Sequence, residues 1–359
     1  MKGKFKVLSI ITVAVLVIAL LGACSTTSQS GSQSGGSSSE SHGSGSGGGE
    51  AAAGGVIAPK SGNTYKVGFS SYILVYNSWI TLELKVKEFC EANGWEYFGT
   101  NAEGDINKQI SDMEDLAAQN CDLIFINTVD PEIMVPTVNR IVDAGTPVIS
   151  LDNYLSSEAK VLTTVCTNNY QNGFMVGQWA AQKVKGPAKA VVLSGERGQK
   201  LCEDRRMGCV AGFMEGKLLT DGNANVEIVA QIYTEWFADV TIAGIEDILA
   251  RNVEFNMIIS EADVMALPAY ELLKNKGLSD KIVFAATADG EKSALELLTT
   301  GVDNYATGLN SFVQQAQMGV DAAKEYFEGR TAFPERTYTE TVCINKDNVS
   351  GYYDPNAIF

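Results

Sequence analysis

Polar or aromatic side chains follow most of the apolar, β-branched runs of this chain. They are Ser70-Ser71-Tyr72, Asn127-Thr128, Asp152-Asn153, Ser194, Trp236, Glu261, Asp289 and Asn310. Carboxylates accept strong hydrogen bonds, and indoles offer flat apolar faces that also attract cations. Any one of these residues could instead cap a following helix, as we expect for Asp130 before Pro131. Their recurrence at successive strand ends favours one shared binding site.

The chain offers little of the chemistry on which enzymes depend. Its only histidine, His42, lies in a Ser/Gly-rich segment, and it contains no GxxxxGK phosphate loop. The folded part therefore has no Ser-His-Asp triad and no histidine metal site. Asp152 and Asp289 could in principle cleave a glycoside, but nothing in the sequence marks either as an acid with a raised pKa. We expect a binding protein with no cofactor and no metal.

The elements that position these residues alternate between strand and helix. Buried strands are predicted at Tyr65–Ser70, Leu123–Asn127, Val148–Asp152, Ala190–Ser194, Val226–Gln231, Met257–Glu261, Ile282–Thr287 and Tyr305–Asn310. Apolar residues at helical spacing predict helices near 79–89, 106–117 and 134–142. This alternation predicts an α/β fold with two doubly wound parallel sheets, in which ligands bind beyond the carboxyl ends of the strands.

The amino terminus has the order of a secretory signal. Lys2, Lys4 and Lys6 precede the apolar stretch Val7–Leu21, and Leu21-Gly22-Ala23 comes just before Cys24. This resembles the bacterial lipobox, which implies removal of residues 1–23 and a lipid on the Cys24 sulfur. An uncleaved anchor helix is the alternative. Residues 24–62 are rich in Ser and Gly and are predicted to form a disordered tether.

Charge and cysteine content limit the partners and the covalent structure. The formal net charge of −16 disfavours nucleic acid and anionic lipid headgroups as partners. Besides Cys24 there are six cysteines, and the body is large enough to fold without disulfides. Free, buried thiols are expected, with a Cys202–Cys209 bridge as the open alternative.

Several phrases of the sequence, in their order and spacing, resemble a known family. They include KVGFSSYILVYNSW, GDINKQISDMEDLAAQNCDLIFINTVDPE, AGTPVISLDN, TNNYQNGFMVGQWAA, ADVMALPAYELL and ADGEKSALELLTTG. These are similar to the sugar-binding class of type I periplasmic binding proteins. The resemblance implies an extracytoplasmic, monomeric receptor that delivers a sugar to an ABC permease, here as a lipoprotein.

The resemblance also implies two lobes joined by three hinge strands, with the ligand enclosed between them. The amino-terminal lobe is then expected at 65–167 and 311–340, and the carboxyl-terminal lobe at 168–310 and 341–359. Thr167-Asn168-Asn169 would lie at the first crossover.

The ligand-binding residues of the family map onto this chain by motif. Trp79 and Trp236 match stacking aromatics, Asp152 and Asp289 match ligand carboxylates, and either Arg205 or Arg206 matches a donor. The full expected set is Tyr72, Asn77, Trp79, Asp152, Asn153, Arg205, Trp236, Glu261, Asp289 and Asn310. Ala262 replaces a family amide, so Glu261 is expected to supply the missing hydrogen bond, and Asn153 replaces a second arginine.

The identity of the ligand stays open between a pentose, a hexose and a polyol. The acidic groups and tryptophans also suit an amine-bearing ligand, although Arg205 argues against it. A receptor that presents its ligand to a chemoreceptor or a histidine kinase is the alternative to transport. A transcription regulator is disfavoured by the signal and by the lack of a basic helix-turn-helix before Tyr65.

Overall fold

The computed structural model describes residues 55–128, 130–222 and 224–359. The predicted signal, Cys24 and residues 24–54 of the predicted tether lie outside these ranges. No helix within them has the length and apolar character needed to cross a membrane.

Strands and helices alternate through the described residues. The strands are β1 (Lys66–Ser71), β2 (Glu96–Asn101), β3 (Leu123–Asn127), β4 (Val148–Leu151), β5 (Thr164–Cys166), β6 (Ala188–Ser194), β7 (Val226–Tyr233), β8 (Met257–Ser260), β9 (Val283–Asp289), β10 (Tyr305–Leu309), β11 (Arg336–Tyr338) and β12 (Cys343–Ile344). The helices are α1 (Asn77–Ala92), α2 (Ile106–Ala118), α3 (Val135–Asp143), α4 (Asn169–Lys183), α5 (Lys200–Asp221), α6 (Ala238–Ala250), α7 (Asp263–Asn275), α8 (Lys292–Thr299) and α9 (Phe312–Phe327).

The strands form two six-stranded sheets, as the two-sheet prediction requires. The first has the order β11-β5-β4-β3-β1-β2 and the second β12-β10-β9-β8-β6-β7. Neighbouring strands pair in parallel, except that β12 runs antiparallel to β10. In each sheet the strand order reverses beside the first strand, β1 or β6, which is where doubly wound sheets bind ligands.

Helices cover both faces of each sheet because the strands are apolar on both sides. On the first sheet, α1 and α9 pack over Val67, Phe69 and Phe125, while α2 and α3 cover the opposite face at Ile124 and Ile126. On the second sheet, α6, α7 and α8 cover one face, and α4 and α5 cover the other. Each sheet with its helices is one α/β lobe.

The chain crosses between the lobes three times, after β5, after β10 and between β11 and β12. One residue from each crossing joins a buried cluster. The Thr167 hydroxyl donates to Asn310 Oδ1 at 2.6 Å and lies 2.9 Å from the Thr339 hydroxyl. The three crossings are therefore tied to one another by side chains as well as by the sheets.

All eight predicted strands are confirmed, with ends that shift by two residues or fewer. Sequence reasoning missed β2, β5, β11 and β12. Strand β2 lies at an edge and is partly exposed, which weakens its apolar signal, and the other three have only two or three residues. Asp130 caps as predicted, since its Oδ1 accepts from the backbone N–H groups of Glu132 and Ile133.

The six described cysteines are free thiols, and all except the partly buried Cys343 are fully buried. A Cys202–Cys209 bridge is therefore wrong. The two residues lie seven positions apart on α5, or about 10 Å along the helix axis. That separation exceeds the roughly 7 Å between Cα atoms that a disulfide can span.

Candidate functional site

A cavity of about 450 Å³ receives residues from both lobes beyond the carboxyl ends of their strands. Nine of the ten expected residues line it: Tyr72, Asn77, Trp79, Asp152, Asn153, Arg205, Trp236, Asp289 and Asn310. The volume lies within the range of about 300–1,000 Å³ that is typical of small-molecule sites. Glu261 is not among the lining residues.

In the first lobe, Trp79 and Asp152 hold each other in place. Trp79 lies in the first turn of α1, and its Nε1 donates to Asp152 Oδ2 at 3.0 Å. The other carboxylate oxygen accepts a longer bond of 3.4 Å from Gln315 Nε2 on α9. These bonds fix the indole plane and direct the carboxylate.

Asp152 has an energetically unfavourable backbone conformation and a poorly solvated carboxyl group. Its backbone has φ +68°, in the left-handed region that few non-glycine residues adopt. Burial raises the pKa of its carboxyl above the usual value, against the opposing effects of the Trp79 hydrogen bond and the Arg205 charge. Strained backbone and a poorly solvated charge on one residue are typical of functional sites.

In the second lobe, a glycine creates the space for Trp236. A Cβ atom at Gly195 would clash with the Trp236 indole, so the ring lies directly against the backbone there. Glu235 and Trp236 both have positive φ, at 51° and 67°. This unusual turn after β7 brings the indole to the cavity.

Of the two candidate arginines, Arg205 lines the cavity and Arg206 does not. The Arg205 side chain is buried, with Nε donating to Asn169 Oδ1 at 2.7 Å and Nη2 to Asp289 Oδ1 at 3.2 Å. Its Nη1 donates to the Glu261 carbonyl at 3.0 Å. The guanidinium has five N–H donors, so two remain for a ligand.

The Glu261 side chain supports the wall of the cavity and does not line the cavity itself. It is fully buried, and its carboxylate accepts from the Ser194 hydroxyl, the Gly195 N–H and Arg206 Nη1, each at 2.8 Å. With its oxygens occupied in this way, it holds the Gly195 backbone beneath Trp236. The expectation that it replaces a ligand hydrogen bond does not match this position.

Sequence reasoning missed a second supporting carboxylate, Asp263. Its Oδ2 accepts from the backbone N–H groups of Asp289, Gly290 and Glu291 at 2.9–3.1 Å, and from the Thr307 hydroxyl. Burial raises the pKa of Asp263 to about 7, although these hydrogen bonds oppose the shift. Asp263 thereby fixes the segment that carries Asp289.

Asn310 connects the cavity to the hinge. Its Nδ2 donates to Asp289 Oδ1 at 3.0 Å, and its Oδ1 accepts from Thr167 and from Gln315 Nε2 at 2.6 and 2.7 Å. Gln315 was not predicted, and its place on α9, facing Asp152 and Asn310, has no signal in a single sequence.

The remaining lining residues add aromatic surface and charge. Tyr72 donates its hydroxyl to the Gly104 carbonyl at 2.6 Å, and Asn77 is exposed at the start of α1. Residues that also line the cavity but were not predicted include Tyr76, Glu196, Glu291, Phe312 and Phe359. No group of three or more potential metal ligands occurs in the described ranges.

Two α/β lobes with three connections, and a cavity that takes stacking and hydrogen-bonding groups from both, define the class of two-lobed binding proteins. The chain belongs to a family within that class: the family model described as periplasmic binding protein domain matches residues 67–331. Its fold is that of type I periplasmic binding proteins. Members of the family are extracytoplasmic solute-binding proteins and are not enzymes.

Individual relatives and structures agree with this assignment. The chain is 26% identical over 237 residues to the ribose import binding protein of Bacillus subtilis, covering 66% of this chain and 73% of that protein. It is 25% identical over 269 residues to the D-apiose import binding protein of Actinobacillus succinogenes, covering 73% and 82%. An ABC transporter periplasmic solute-binding protein from Actinobacillus succinogenes, solved with bound D-allose, has the same fold, with a TM-score of 0.72, 20% identity and coverage of 80% and 100%.

Proposed function

We propose that this protein captures a sugar or polyol in the cavity between its lobes and delivers it to the permease of an ABC importer. A lipid on Cys24 would anchor it, as a monomer, to the outer face of the cell membrane. The amino-terminal lobe is placed at 65–167 and 311–340, and the carboxyl-terminal lobe at 168–310 and 341–359. Residues 1–23 would be the signal. The tether, predicted at 24–62, would end before Ile57, because Ile57 and Lys60 hydrogen-bond to the first lobe and are therefore not part of a disordered segment.

One observation carries the proposal: each lobe brings an indole and a carboxylate to the same cavity. Trp79 and Asp152 come from the first lobe, and Trp236 and Asp289 come from the second. Sugars present C–H groups on their faces and hydroxyls at their edges, so they suit aromatic surfaces surrounded by hydrogen-bonding groups. The named relatives import ribose and D-apiose.

The mechanism follows from the division of these contacts between lobes. A ligand shifts an open–closed equilibrium only through contacts that are stronger in one state. A sugar that touches Trp79 and Trp236 together stabilises the closed state, which the permease would recognise. The three connections allow a hinge motion of this kind.

A thermal-shift screen of the full chain tests the proposal. Ribose, apiose, allose, other pentoses and hexoses, myo-inositol and amino sugars are the compounds, and a binder raises the melting temperature by mass action. The screen should find at least one binder in this panel. If none raises the melting temperature, the proposed ligand class is rejected.

Variants then locate the site by calorimetry with that binder. Trp79→Ala and Asp289→Asn should each lower affinity at least tenfold, equivalent to about 1.4 kcal/mol. Phe237→Ala and Asp303→Asn are matched controls, because both residues are exposed and do not line the cavity. Unchanged affinity in the first two variants would place binding elsewhere.

A further inference from the structure

The cavity carries more negative than positive charge. Among the described residues that line it, Asp152, Glu196, Asp289 and Glu291 are acidic and Arg205 is basic. Arg205 is ion-paired with Asp289 at 3.2 Å, which leaves this pair close to neutral. Glu196 is exposed at the rim, where water and salt screen it. Asp152 and Glu291 have no ion-paired cation in the part of the chain that the structure describes.

These two inner carboxylates are poorly solvated. Burial raises the pKa of Asp152. Burial, followed by repulsion from Asp289, raises the pKa of Glu291. A positive charge in the cavity would reverse both effects, because an opposite charge within a few ångströms favours the ionised carboxylate.

The cavity also has an acceptor without a donor. Asn153 is only 7% exposed, and its Nδ2 donates to the Thr128 carbonyl at 2.7 Å. That bond fixes the orientation of the amide, and its Oδ1 has no hydrogen-bond partner in the structure. Asn153 lines the cavity, and an unpaired buried acceptor beside a cavity is stabilised when a ligand supplies the missing donor.

An ammonium group fits these observations together. It carries three N–H donors, no acceptor and a positive charge. Trp79 and Trp236 line the same cavity, and aromatic faces attract cations. Arg205 does not prevent this, because Asp289 balances its charge and its free N–H groups suit ligand hydroxyls.

We propose that the ligand is a sugar or polyol bearing a protonated amine, whose ammonium group binds within the acidic part of the cavity at Glu291. This inference rests on the proposed function and narrows its ligand class.

Matched pairs of compounds test the inference by calorimetry on the full chain. The pairs are glucose and glucosamine, galactose and galactosamine, mannose and mannosamine, and myo-inositol and an amino-deoxy inositol. In at least one pair the amine should bind about tenfold tighter or more, as expected for charge-assisted hydrogen bonds. The N-acetyl derivative, which keeps the nitrogen but loses its charge, should lose this advantage.

Glu291→Gln locates the ammonium group. This variant should reduce the ratio of amine to neutral affinity at least fivefold, with a smaller effect on the neutral compound. Glu296→Gln removes the same charge from an exposed position on α8 and should leave the ratio unchanged. If Glu291→Gln folds poorly, Asp152→Asn serves as the second variant, and it should also reduce the ratio of amine to neutral affinity.

The outcomes separate the two proposals. If every binding pair favours the neutral compound or shows no preference, the amine inference is overturned while the proposed function stands. If the preference survives in Glu291→Gln and Asp152→Asn, the ammonium site is overturned. If no compound of either series binds, the proposed function is rejected together with the inference.

Discussion

The two lobes have similar sheets but hold their cavity groups differently. In the second lobe, Arg205 donates to the backbone carbonyl of the buried Glu261, and the buried carboxylate of Asp263 holds the backbone of Asp289. In the first lobe, Asp152 depends on two hydrogen bonds, and Asn77 is exposed at a helix start. One fold can therefore present a rigid half-site opposite a less constrained one.

Helices also pack more closely in the second lobe than in the first. In the second lobe, α4 and α5 meet backbone to backbone, since a Cβ at Gly177, Gly208 or Gly212 would clash with the facing helix. In the first lobe, Gly319 of α9 faces side chains and no facing backbone: the end of Leu151 is nearest, and the Phe125 ring is at ordinary contact distance. The close α4–α5 contact also places Asn169 against Arg205, which joins the helix packing to the site.

We expect the largest difference between the lobes in the loss of stability that follows removal of one arginine from each. Arg205→Met should lower the free energy of unfolding by about 3 kcal/mol, because it leaves the partly buried Asp289 without its cation. Arg140→Met removes an exposed pair with Glu114 in the first lobe and should cost less than about 1 kcal/mol. Urea unfolding measures both, and similar losses would remove the distinction between the lobes.

Glycine substitutions should show the next largest difference. Gly212→Ala should cost about 2–3 kcal/mol, since rigid backbone must move to admit the methyl group. Gly319→Ala should cost about 1 kcal/mol or less, because the Leu151 side chain can rotate away. Denaturant unfolding is again the measurement, and equal costs would argue against the tighter packing of α4 and α5.

Gly195→Ala should affect binding more than stability. The added methyl group displaces the Trp236 ring, so affinity for the identified ligand should fall about tenfold, or roughly 1.4 kcal/mol. Gly244→Ala, on α6 of the same lobe and outside the cavity, is the control and should keep normal affinity. Calorimetry that finds the two variants alike would show that Trp236 does not need this position.

The smallest expected effect concerns the pH dependence of stability in the first lobe. The raised pKa of Asp152 means that the folded state holds this proton more tightly than the unfolded state. Stability should therefore decrease as pH rises from the ordinary Asp pKa, near 4, toward the raised value. Asp152→Asn should flatten this decrease and slightly stabilise the protein at pH 7. Urea titrations at several pH values would contradict the prediction if the two slopes were identical.

Much of the fold could be predicted because it depends on short-range patterns. The strand Leu123–Asn127 has four consecutive apolar residues before its final asparagine, and its bounds were predicted without error. The strand β5 has only three residues and is defined by its pairing with neighbouring strands. Local composition does not reveal such pairing.

The site shows the same limit at the level of single residues. Trp79 and Asp289 could be assigned from a family resemblance and strand ends, and both line the cavity. Glu261 also stands at a strand end, yet its environment turns it toward Gly195 and Arg206. Residue type and position do not distinguish a carboxylate that faces a cavity from one that supports its wall.

The double role of Asn310 restricts how this protein can acquire new ligands during evolution. The Asn310 side chain forms hydrogen bonds both with Thr167 of the first crossing and with Asp289 of the binding cavity. A substitution of Asn310 therefore alters ligand recognition and lobe movement at once. Changes at Tyr72 or Asn77 carry no such double consequence. Natural diversification of specificity should therefore begin at those two positions and leave Asn310 unaltered.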